Sequence, residues 1–223
     1  MNATPLRADP VTAAAEAFIA ISEAGKTFTG QDGGEVVALE GVDLAIRRGE
    51  FFSIVGPSGC GKSTLLTLVS GLVGTSKGEI RIDGTRIAAP YTDLGFVFQT
   101  DLLLDWRTVL GNVLLQCDMR NMNPRAHEAR ARELIAQVGL AGFESKRPFE
   151  LSGGMRQRVA ICRALLLDPP TLLMDEPFGA LDALTREQMQ VDLQTLWLRS
   201  RKTVLFVTHS ISEAVFLSDR VIV

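Results

Sequence analysis

The chain has 223 residues, of which 46% are hydrophobic and 22% are charged. This composition is typical of globular proteins and excludes a disordered or fibrous chain, and the length suits one large domain. With 26 acidic and 23 basic residues, the net charge is −3, which argues against a protein that binds nucleic acid through bulk charge. Three cysteines (Cys60, Cys117 and Cys162) lack metal-ligand spacing and predict a reduced protein inside the cell.

No stretch reaches the roughly 18 consecutive apolar residues that a membrane-spanning helix needs. The longest candidate, at 65–73, is interrupted by Thr67, Ser70 and Gly71. Residues 1–16 are rich in Ala, Thr and Pro without periodicity, and their acidic residues break up any signal-peptide core. We therefore expect residues 1–16 to be a disordered tail, and any membrane role to be played from outside the lipid.

Short apolar runs alternate with helical patterns along the chain. Strand-like runs at 18–21 and 36–39 are joined by a glycine-rich turn, which predicts a hairpin. A buried strand at 51–55 precedes a helix that begins near Lys62, and further strands are expected at 171–174 and 203–207. Between the last two strands, one helical face carries Met189, Leu193, Leu196 and Trp197. The alternation predicts an α/β fold with a mainly parallel sheet, an antiparallel β lobe, and sites at the carboxyl ends of the strands.

The middle of the chain, about 101–150, reads as an all-helical insertion. One predicted helix presents a face made of Leu110, Val113, Leu114 and Cys117. A second helix presents Ala131, Leu134, Ile135 and Val138. For this second helix, Asn123 is placed as the N-cap, Pro124 as the first residue and Gly139 as the terminator.

A glycine-rich loop follows the predicted strand at 51–55. From Gly56 to Ser63 it fits the pattern G-x-x-x-x-G-K-[ST] at every fixed position, with a strand before it and a helix after it. In such a loop, backbone N–H groups surround phosphate oxygens, Lys62 faces the β- and γ-phosphates, and Ser63 offers a hydroxyl to Mg²⁺. We predict a phosphate site made of Gly56, Pro57, Ser58, Gly59, Cys60, Gly61, Lys62, Ser63 and Thr64. The Cys60 side chain is not needed for it.

Two adjacent carboxylates end the apolar strand predicted at 171–174. Asp175 is placed to support Mg²⁺, and Glu176 can polarise an attacking water as general base. An acidic turn that merely caps a strand is the plain alternative, disfavoured because the pair follows a phosphate loop in the same chain. A P-loop GTPase is a more distant alternative, since the sequence has no Asn-Lys-x-Asp segment to recognise guanine.

A second anion-binding pattern lies at 151–158, where Ser152, Gly153 and Gly154 precede a predicted helix without a lysine. Two phosphate-binding helix starts make little sense around one nucleotide in one chain, but they suit two copies that face each other. On these residues the sequence resembles the ABC ATPase family, whose LSGGQ-type signature meets the P-loop of a second subunit across an ATP-sandwich dimer. The resemblance covers about 18–223.

The resemblance implies roles for four more residues. Phe28 is similar to the aromatic residue that stacks on adenine, and Gln99 matches the Q-loop glutamine, which touches Mg²⁺ and water. Asp182 looks like the D-loop aspartate, and His209 matches the switch histidine near the γ-phosphate. The implied cofactors are ATP and Mg²⁺. The implied catalytic residues are Glu176, His209 and Gln99, and the implied metal-binding residues are Ser63, Gln99 and Asp175.

Some of these residues have plainer alternatives. An aromatic residue such as Phe28 often fills a core, and a lone histidine at a strand end is more often a surface or capping group. The ordered set of motifs favours the functional interpretation for His209, whereas His127 matches no motif and is interpreted as solvated. The basic group Arg156, Arg158 and Arg163 is interpreted as a solvated or interdomain face.

The sequence departs from the family pattern at two points. Met155 replaces the glutamine that is usual in the signature, but the serine and glycines make the phosphate contacts, so binding is expected to survive. The chain ends at Val223 in a predicted strand, whereas family members usually continue for some tens of residues. A truncated C-terminal end is therefore left open.

Within the family, the lack of membrane helices argues against a fused exporter and favours a separate ATPase subunit of a bacterial importer. The segment 102–106 follows the Q-loop, where the family contacts its permease. An exposed Trp106 would be a partner anchor, and a buried core tryptophan is the alternative. This segment, the Met-Arg-Gln-Arg ending of the signature and residues 179–186 look most like the nitrate, sulfonate and taurine importer subunits.

The resemblance implies a peripheral protein on the cytoplasmic side of the inner membrane. The implied partners are a second copy of the chain, transmembrane permease subunits near 102–106 and, indirectly, a solute-binding protein, without nucleic acid. We expect one ATP-binding domain at 17–223, with a catalytic core (17–100 and 151–223) and a helical subdomain (101–150). The rival hypothesis is a soluble ABC ATPase that uses ATP to clamp a cytosolic partner.

Overall fold

A computed structural model describes residues 17–30 and 33–223. The tail expected at 1–16 lies outside these residues. The strands are β1 (Ala17–Thr29), β2 (Glu35–Arg47), β3 (Phe51–Val55), β4 (Lys77–Ile82), β5 (Thr85–Arg86), β6 (Leu94–Val97), β7 (Thr171–Asp175), β8 (Thr203–Thr208) and β9 (Arg220–Ile222). The helices are α1 (Lys62–Val69), α2 (Val109–Val113), α3 (Leu115–Met119), α4 (Pro124–Gln137), α5 (Gly153–Leu165), α6 (Ala183–Ser200) and α7 (Ile211–Leu217), with a 3₁₀ turn at Pro148–Glu150.

The described residues divide into two compact units, one made of 17–30, 33–92 and 202–223 and the other of 93–201. The first unit contains an antiparallel sheet in the order β2-β1-β4-β5. Its hairpin of β1 and β2 pairs Phe28 with Val36 and Lys26 with Leu39. The predicted hairpin and antiparallel lobe are confirmed, and both strands extend well beyond the apolar runs that predicted them.

Three parallel strands complete the first unit, with β3 paired to β8 on one side and to β9 on the other. Every residue of β3 and β8 is buried, as expected for central parallel strands, which read as continuous apolar runs. The rings of Phe51 and Phe206 pack with centroids 5.7 Å apart. In the register, Val55 lies opposite Thr208, so the segments that follow β3 and β8 leave the sheet side by side.

The second unit pairs β6 with β7 in parallel and packs α2 and α4 against α5. The predicted boundaries of α4 are confirmed: Asn123 caps it by accepting the N–H of Arg125, Pro124 begins it, and Gly139 follows with φ +73°. The single helix predicted through 110–117 is wrong, because α2 ends at Val113 and α3 begins at Leu115. Val113 and Cys117 are nevertheless both fully buried, so the buried apolar face continues across the break in the helix.

Across 17–30 and 33–223, no helix combines the length and the hydropathy that crossing a bilayer requires.

Candidate nucleotide-binding and hydrolysis site

The predicted P-loop connects the buried strand β3 to helix α1 in the first unit. Lys62 is 7% exposed and its ammonium donates to the carbonyl oxygens of Gly56 and Pro57, both at 2.8 Å. The lysine therefore folds back over its own loop, with Ser63 exposed at the start of α1. A helix start carries uncompensated N–H groups and the positive end of the helix dipole, so this loop suits a phosphate group.

Gly59 and Gly61 both have a positive φ in this loop, and at Gly61 a Cβ would also clash with its neighbours. The φ of Gly61 is +98°, and a Cβ there would lie 2.6 Å from Leu39 Cδ2 and 2.7 Å from the carbonyl oxygen of Ala38. The end of the P-loop thus packs directly on β2, and the glycine fixes the left-handed turn that starts α1.

His209 follows β8 at the same edge of the parallel strands as Gly56, since Val55 and Thr208 are paired. Its imidazole is exposed, and its turn is held by buried groups that the sequence did not single out. Thr208 donates its hydroxyl to Glu213, which is 5% exposed, at 2.5 Å, and the N–H of Ser210 donates to that hydroxyl at 3.0 Å. The structure thus brings His209 and the P-loop to one edge. A Thr-x-Ser-x-x-Glu spacing would have been the signal for this support.

Phe28 is 42% exposed, which disfavours the alternative that it fills the core. The ammonium of Lys26 lies 5.1 Å from its ring centroid. Lys26 pairs with Leu39, the residue on which Gly61 packs, and Phe28 lies two residues further along the same strand. An exposed aromatic face is therefore available near the end of the P-loop, and its stacking on adenine stays a prediction.

In the second unit, the structure brings Gln99 and Glu176 together. Val97 pairs with Met174 at the ends of the parallel strands β6 and β7, so the two following segments lie side by side. The Gln99 amide donates to Glu176 Oε2 at 3.3 Å. Glu176 has φ +43°, a conformation that is uncommon outside glycine, and Asp175 directly before it is the last residue of β7. The geometry gives a half-buried carboxylate a neutral amide partner at a sheet edge.

The signature residues start α5 in the same unit. Ser152 is its N-cap and accepts the N–H of Met155 at 3.3 Å, while Gly153 is exposed. Gly154 is buried, and a Cβ there would lie 2.5 Å from the Thr185 methyl group. Gly154 thus has a packing reason to be glycine in addition to the predicted phosphate contact.

Asp182 caps the neighbouring helix α6 by accepting the N–H of Thr185 at 3.0 Å. The pKa of Asp182 is lowered from its ordinary value, first by the Thr185 hydroxyl and then by the backbone N–H of the same residue. Because Gly154 packs on Thr185, the signature and Asp182 lie together at the adjoining starts of α5 and α6.

The segment predicted to dock a partner is exposed. Trp106 is 72% exposed and Leu102 53%, so the alternative of a buried core tryptophan is wrong. Sequence reasoning missed the residue beneath this segment. Asn112 is fully buried, and its amide nitrogen, which has two hydrogens to donate, lies 3.0 to 3.2 Å from the carbonyl oxygens of Leu104, Arg107 and Thr108. A polar residue on an otherwise apolar helical face was the available signal.

A parallel-strand core, a P-loop and a carboxylate pair that ends a buried strand define the class of P-loop nucleotide hydrolases. The family model described as "ABC transporter" matches residues 39–179, well over half of the chain, so this protein belongs to the ABC transporter family. The resemblance proposed from the motifs is confirmed, and the chain is a nucleotide-binding ABC-type ATPase.

Similar proteins with known names support the same family assignment. The taurine import ATP-binding protein of Rhizobium johnstonii is 48% identical over 206 residues, 92% of this chain and 79% of the relative. The aliphatic sulfonates import ATP-binding protein of Bacillus thuringiensis is 45% identical over 205 residues, 92% of this chain and 80% of the relative. A solved dimeric structure of a post-hydrolysis ATP-binding cassette with ADP and Pi is 36% identical, with a TM-score of 0.79 over 92% of this chain and 96% of that one.

Proposed function

We propose that this chain is the ATP-hydrolysing subunit of a membrane importer for nitrate, a sulfonate, taurine or a related small solute. The observation that carries the proposal is that two glycine-containing segments predicted to bind phosphate each start a helix in one chain, the P-loop before α1 and the signature before α5. The names of the taurine and sulfonate relatives support an import role and do not favour the rival soluble clamp.

In this proposal two copies of the chain enclose ATP. Residues 56–64 of one copy hold the phosphates, with Lys62 at the β- and γ-phosphates, and residues 152–154 of the other copy close over them. Phe28 stacks on the adenine, and Asp182 lies at the meeting surface of the copies. The solved cassette is dimeric, and the match to it spans 92% of this chain and 96% of that one, which supports this arrangement.

Glu176 is the proposed general base. A carboxylate accepts a proton from water as water attacks the γ-phosphate, and Gln99, already 3.3 Å from Glu176 Oε2, orients that carboxylate. His209, at the edge where the P-loop begins, contacts the γ-phosphate. Release of phosphate removes the charge that held the two copies together, so hydrolysis opens the dimer.

Mg²⁺ is the proposed metal. Within 17–30 and 33–223 no cluster of His, Cys, Asp and Glu forms an all-protein metal site. Mg²⁺ keeps several waters and binds through a few hard oxygen ligands together with substrate phosphates. The hydroxyl of Ser63, the amide oxygen of Gln99 and the carboxylate of Asp175 are such ligands. The ion would neutralise charge on the phosphates.

The proposed membrane partner contacts the exposed segment 102–106, within the predicted helical subdomain 101–150. Trp106 is the anchor, because an exposed tryptophan buries a large area for a small loss of side-chain freedom when it enters a pocket. In this proposal the chain lies on the cytoplasmic face of the inner membrane, next to permease subunits that receive solute from a binding protein. Taurine, another sulfonate or nitrate is the proposed solute class.

The hydrolysis mechanism is tested by Glu176→Gln, which keeps the size of the side chain and removes its basicity. We expect ATP binding to persist and turnover to fall by at least ~10²-fold, the typical share of a general base. Glu187→Gln, an exposed carboxylate on α6, is the matched control and should turn over normally. Normal turnover in Glu176→Gln would remove Glu176 from this role.

The importer assignment is tested by purifying the tagged protein from gently solubilised membranes of its own host. We expect a multi-spanning subunit to copurify, and Trp106→Ala to lose it. Leu184→Ala, which removes a 79% exposed apolar side chain on α6, should retain it. If only soluble proteins copurify with the unaltered chain, the rival clamp replaces the importer.

A further inference from the structure

The loop that carries both Gln99 and Trp106 is tied to the signature helix by a set of directed hydrogen bonds. This loop, residues 98–106, follows β6 and has no helix or strand of its own. Exposed loops with large apolar side chains are ordinarily loose, because they bury little surface and their backbone bonds with water. Here successive backbone groups are held instead by side chains of α5.

Arg163 holds two consecutive peptide groups of the loop. One guanidinium nitrogen donates to the carbonyl oxygen of Asp101 at 2.7 Å, and another donates to that of Leu102 at 2.8 Å. Desolvation lowers the pKa of Arg163, and the negative charge of Asp101 opposes that shift. The rigid fork fixes the chain just where Leu102 takes a positive φ of +47°.

Arg156 connects the loop to the residue before the signature serine. Its Nε donates to Asp101 Oδ2 at 2.9 Å, and its Nη1 donates to the carbonyl oxygen of Leu151 at 3.0 Å. The other carboxylate oxygen of Asp101 accepts the N–H of Leu103 at 3.2 Å. One side chain therefore bridges the Trp106 loop and the peptide unit next to Ser152.

A third bond acts at the Gln99 end of the same loop. Gln157, which is 4% exposed, donates its amide to the carbonyl oxygen of Phe98 at 3.4 Å. The three α5 residues thus hold both ends of the segment 98–102. A displacement of this loop must carry the start of α5 with it, or break charged hydrogen bonds, which are about twice as strong as neutral ones.

We propose that Asp101, Arg156 and Arg163 are positioning residues that transmit movement between the partner-binding loop at Trp106 and the signature at Ser152–Gly154. The inference rests on the proposed function, because the signature is taken to close on ATP bound by a second copy. The arginines make the exposure of Trp106 depend on whether the signature is engaged.

Trp106 itself provides the measurement. The chain has two tryptophans, and the other, Trp197, is only 6% exposed, so iodide quenching of fluorescence reports mainly on Trp106. The parent protein is the full chain with Glu176→Gln, which keeps ATP bound, and Trp106→Phe in that background verifies the source of the signal. Iodide quenching constants are measured with and without Mg-ATP. ATP affinity, dimer formation and thermal midpoint are measured in parallel.

We expect ATP to change the quenching constant of the parent and Arg156→Gln to reduce that change at least twofold. Its ATP Kd should stay within about threefold of the parent, well below the tenfold that 1.4 kcal/mol represents. Arg163→Lys keeps the charge but loses the fork and should show a partial reduction. Arg132→Gln, which breaks a surface pair with Glu128 at 2.9 Å in the same unit, is the matched control and should behave as the parent.

Asp101→Asn combined with Arg156→Gln should do no more than Arg156→Gln alone, because both act through one ion pair. Three results would each overturn the inference. They are additive effects of the two substitutions, a full change of the quenching constant with ATP in Arg156→Gln, and a parent that dimerises but whose quenching constant does not change with ATP. A parent that neither binds ATP nor dimerises would instead count against the proposed function. A lower thermal midpoint with an unchanged ATP response would mark the arginines as purely structural.

Discussion

Asn112 gives the sharpest test of how the exposed Trp106 segment is held. Its amide oxygen accepts the N–H of Leu104 at 2.7 Å, and its nitrogen lies 3.0 to 3.2 Å from three carbonyl oxygens. An amide nitrogen has only two hydrogens, so at most three hydrogen bonds exist at one time. At about 1 kcal/mol each, Asn112→Ala should cost the segment roughly 2–3 kcal/mol.

Hydrogen exchange at the N–H of Arg107 measures this cost directly. That N–H donates to the carbonyl oxygen of Leu104 at 3.0 Å and is protected only while the segment stays closed. A loss of 2–3 kcal/mol at about 1.4 kcal/mol per decade means exchange roughly 30- to 150-fold faster. Gln137→Ala, which removes an exposed amide bonded to Glu133 at 2.9 Å, should leave it unchanged.

Asn112→Leu separates hydrogen bonding from packing. Leucine restores most of the volume but none of the bonds, so its exchange should resemble that of Asn112→Ala. Slow, wild-type-like exchange in Asn112→Leu would show that volume rather than hydrogen bonding holds the segment. Exchange within threefold of wild type in Asn112→Ala would refute the reasoning altogether.

Four further predictions concern glycines and thiols. Gly61→Ala places a Cβ within 2.7 Å of β2 atoms at φ +98°, so it should lower the free energy of unfolding by about 2–4 kcal/mol and weaken binding of a fluorescent ATP analogue. Normal stability and affinity in this variant would contradict the prediction. Gly154→Ala should lower the free energy of unfolding by about 1–3 kcal/mol in denaturant titrations. Adding Thr185→Ser should recover at least half of this loss, because the serine lacks the methyl group that lies 2.5 Å from the new Cβ. No recovery would exclude this clash. Iodoacetamide at pH 8 should label only the exposed Cys60 in the folded chain and all three cysteines in urea, because burial raises the pKa of Cys117 and raises that of Cys162 to about 12. Since the unfolded Cys162 thiol ionises near its ordinary value of about 9, its contribution to stability should be lost as pH rises from there towards 12.

The sequence predicted well wherever one local pattern decides the structure. The buried strand before the P-loop, the capped start of α4 and the hairpin of β1 and β2 are each specified by neighbouring residues. The helix break at Leu114 was missed, because Val113 and Cys117 keep a helical spacing across it and stay buried on the same face. Apolar periodicity records which side chains are buried, and it does not record whether the backbone between them is continuous.

The candidate site was predictable in its residues and not in their support. Pattern and order singled out Gln99 and Glu176, but their contact depends on the pairing of β6 with β7, which joins strands more than 70 residues apart. The arginines of α5 were interpreted from the sequence as a solvated or interdomain face. Arg156 and Arg163 instead donate hydrogen bonds to one carboxylate and three backbone carbonyl groups within the same unit. A guanidinium has five donors in a rigid plane, and backbone carbonyls are acceptors of every sequence, so no pattern in the chain could reveal which ones it would reach. The residues proposed to relay movement therefore bond mostly to backbone carbonyl groups and to one carboxylate, and these partners become visible only in the folded chain.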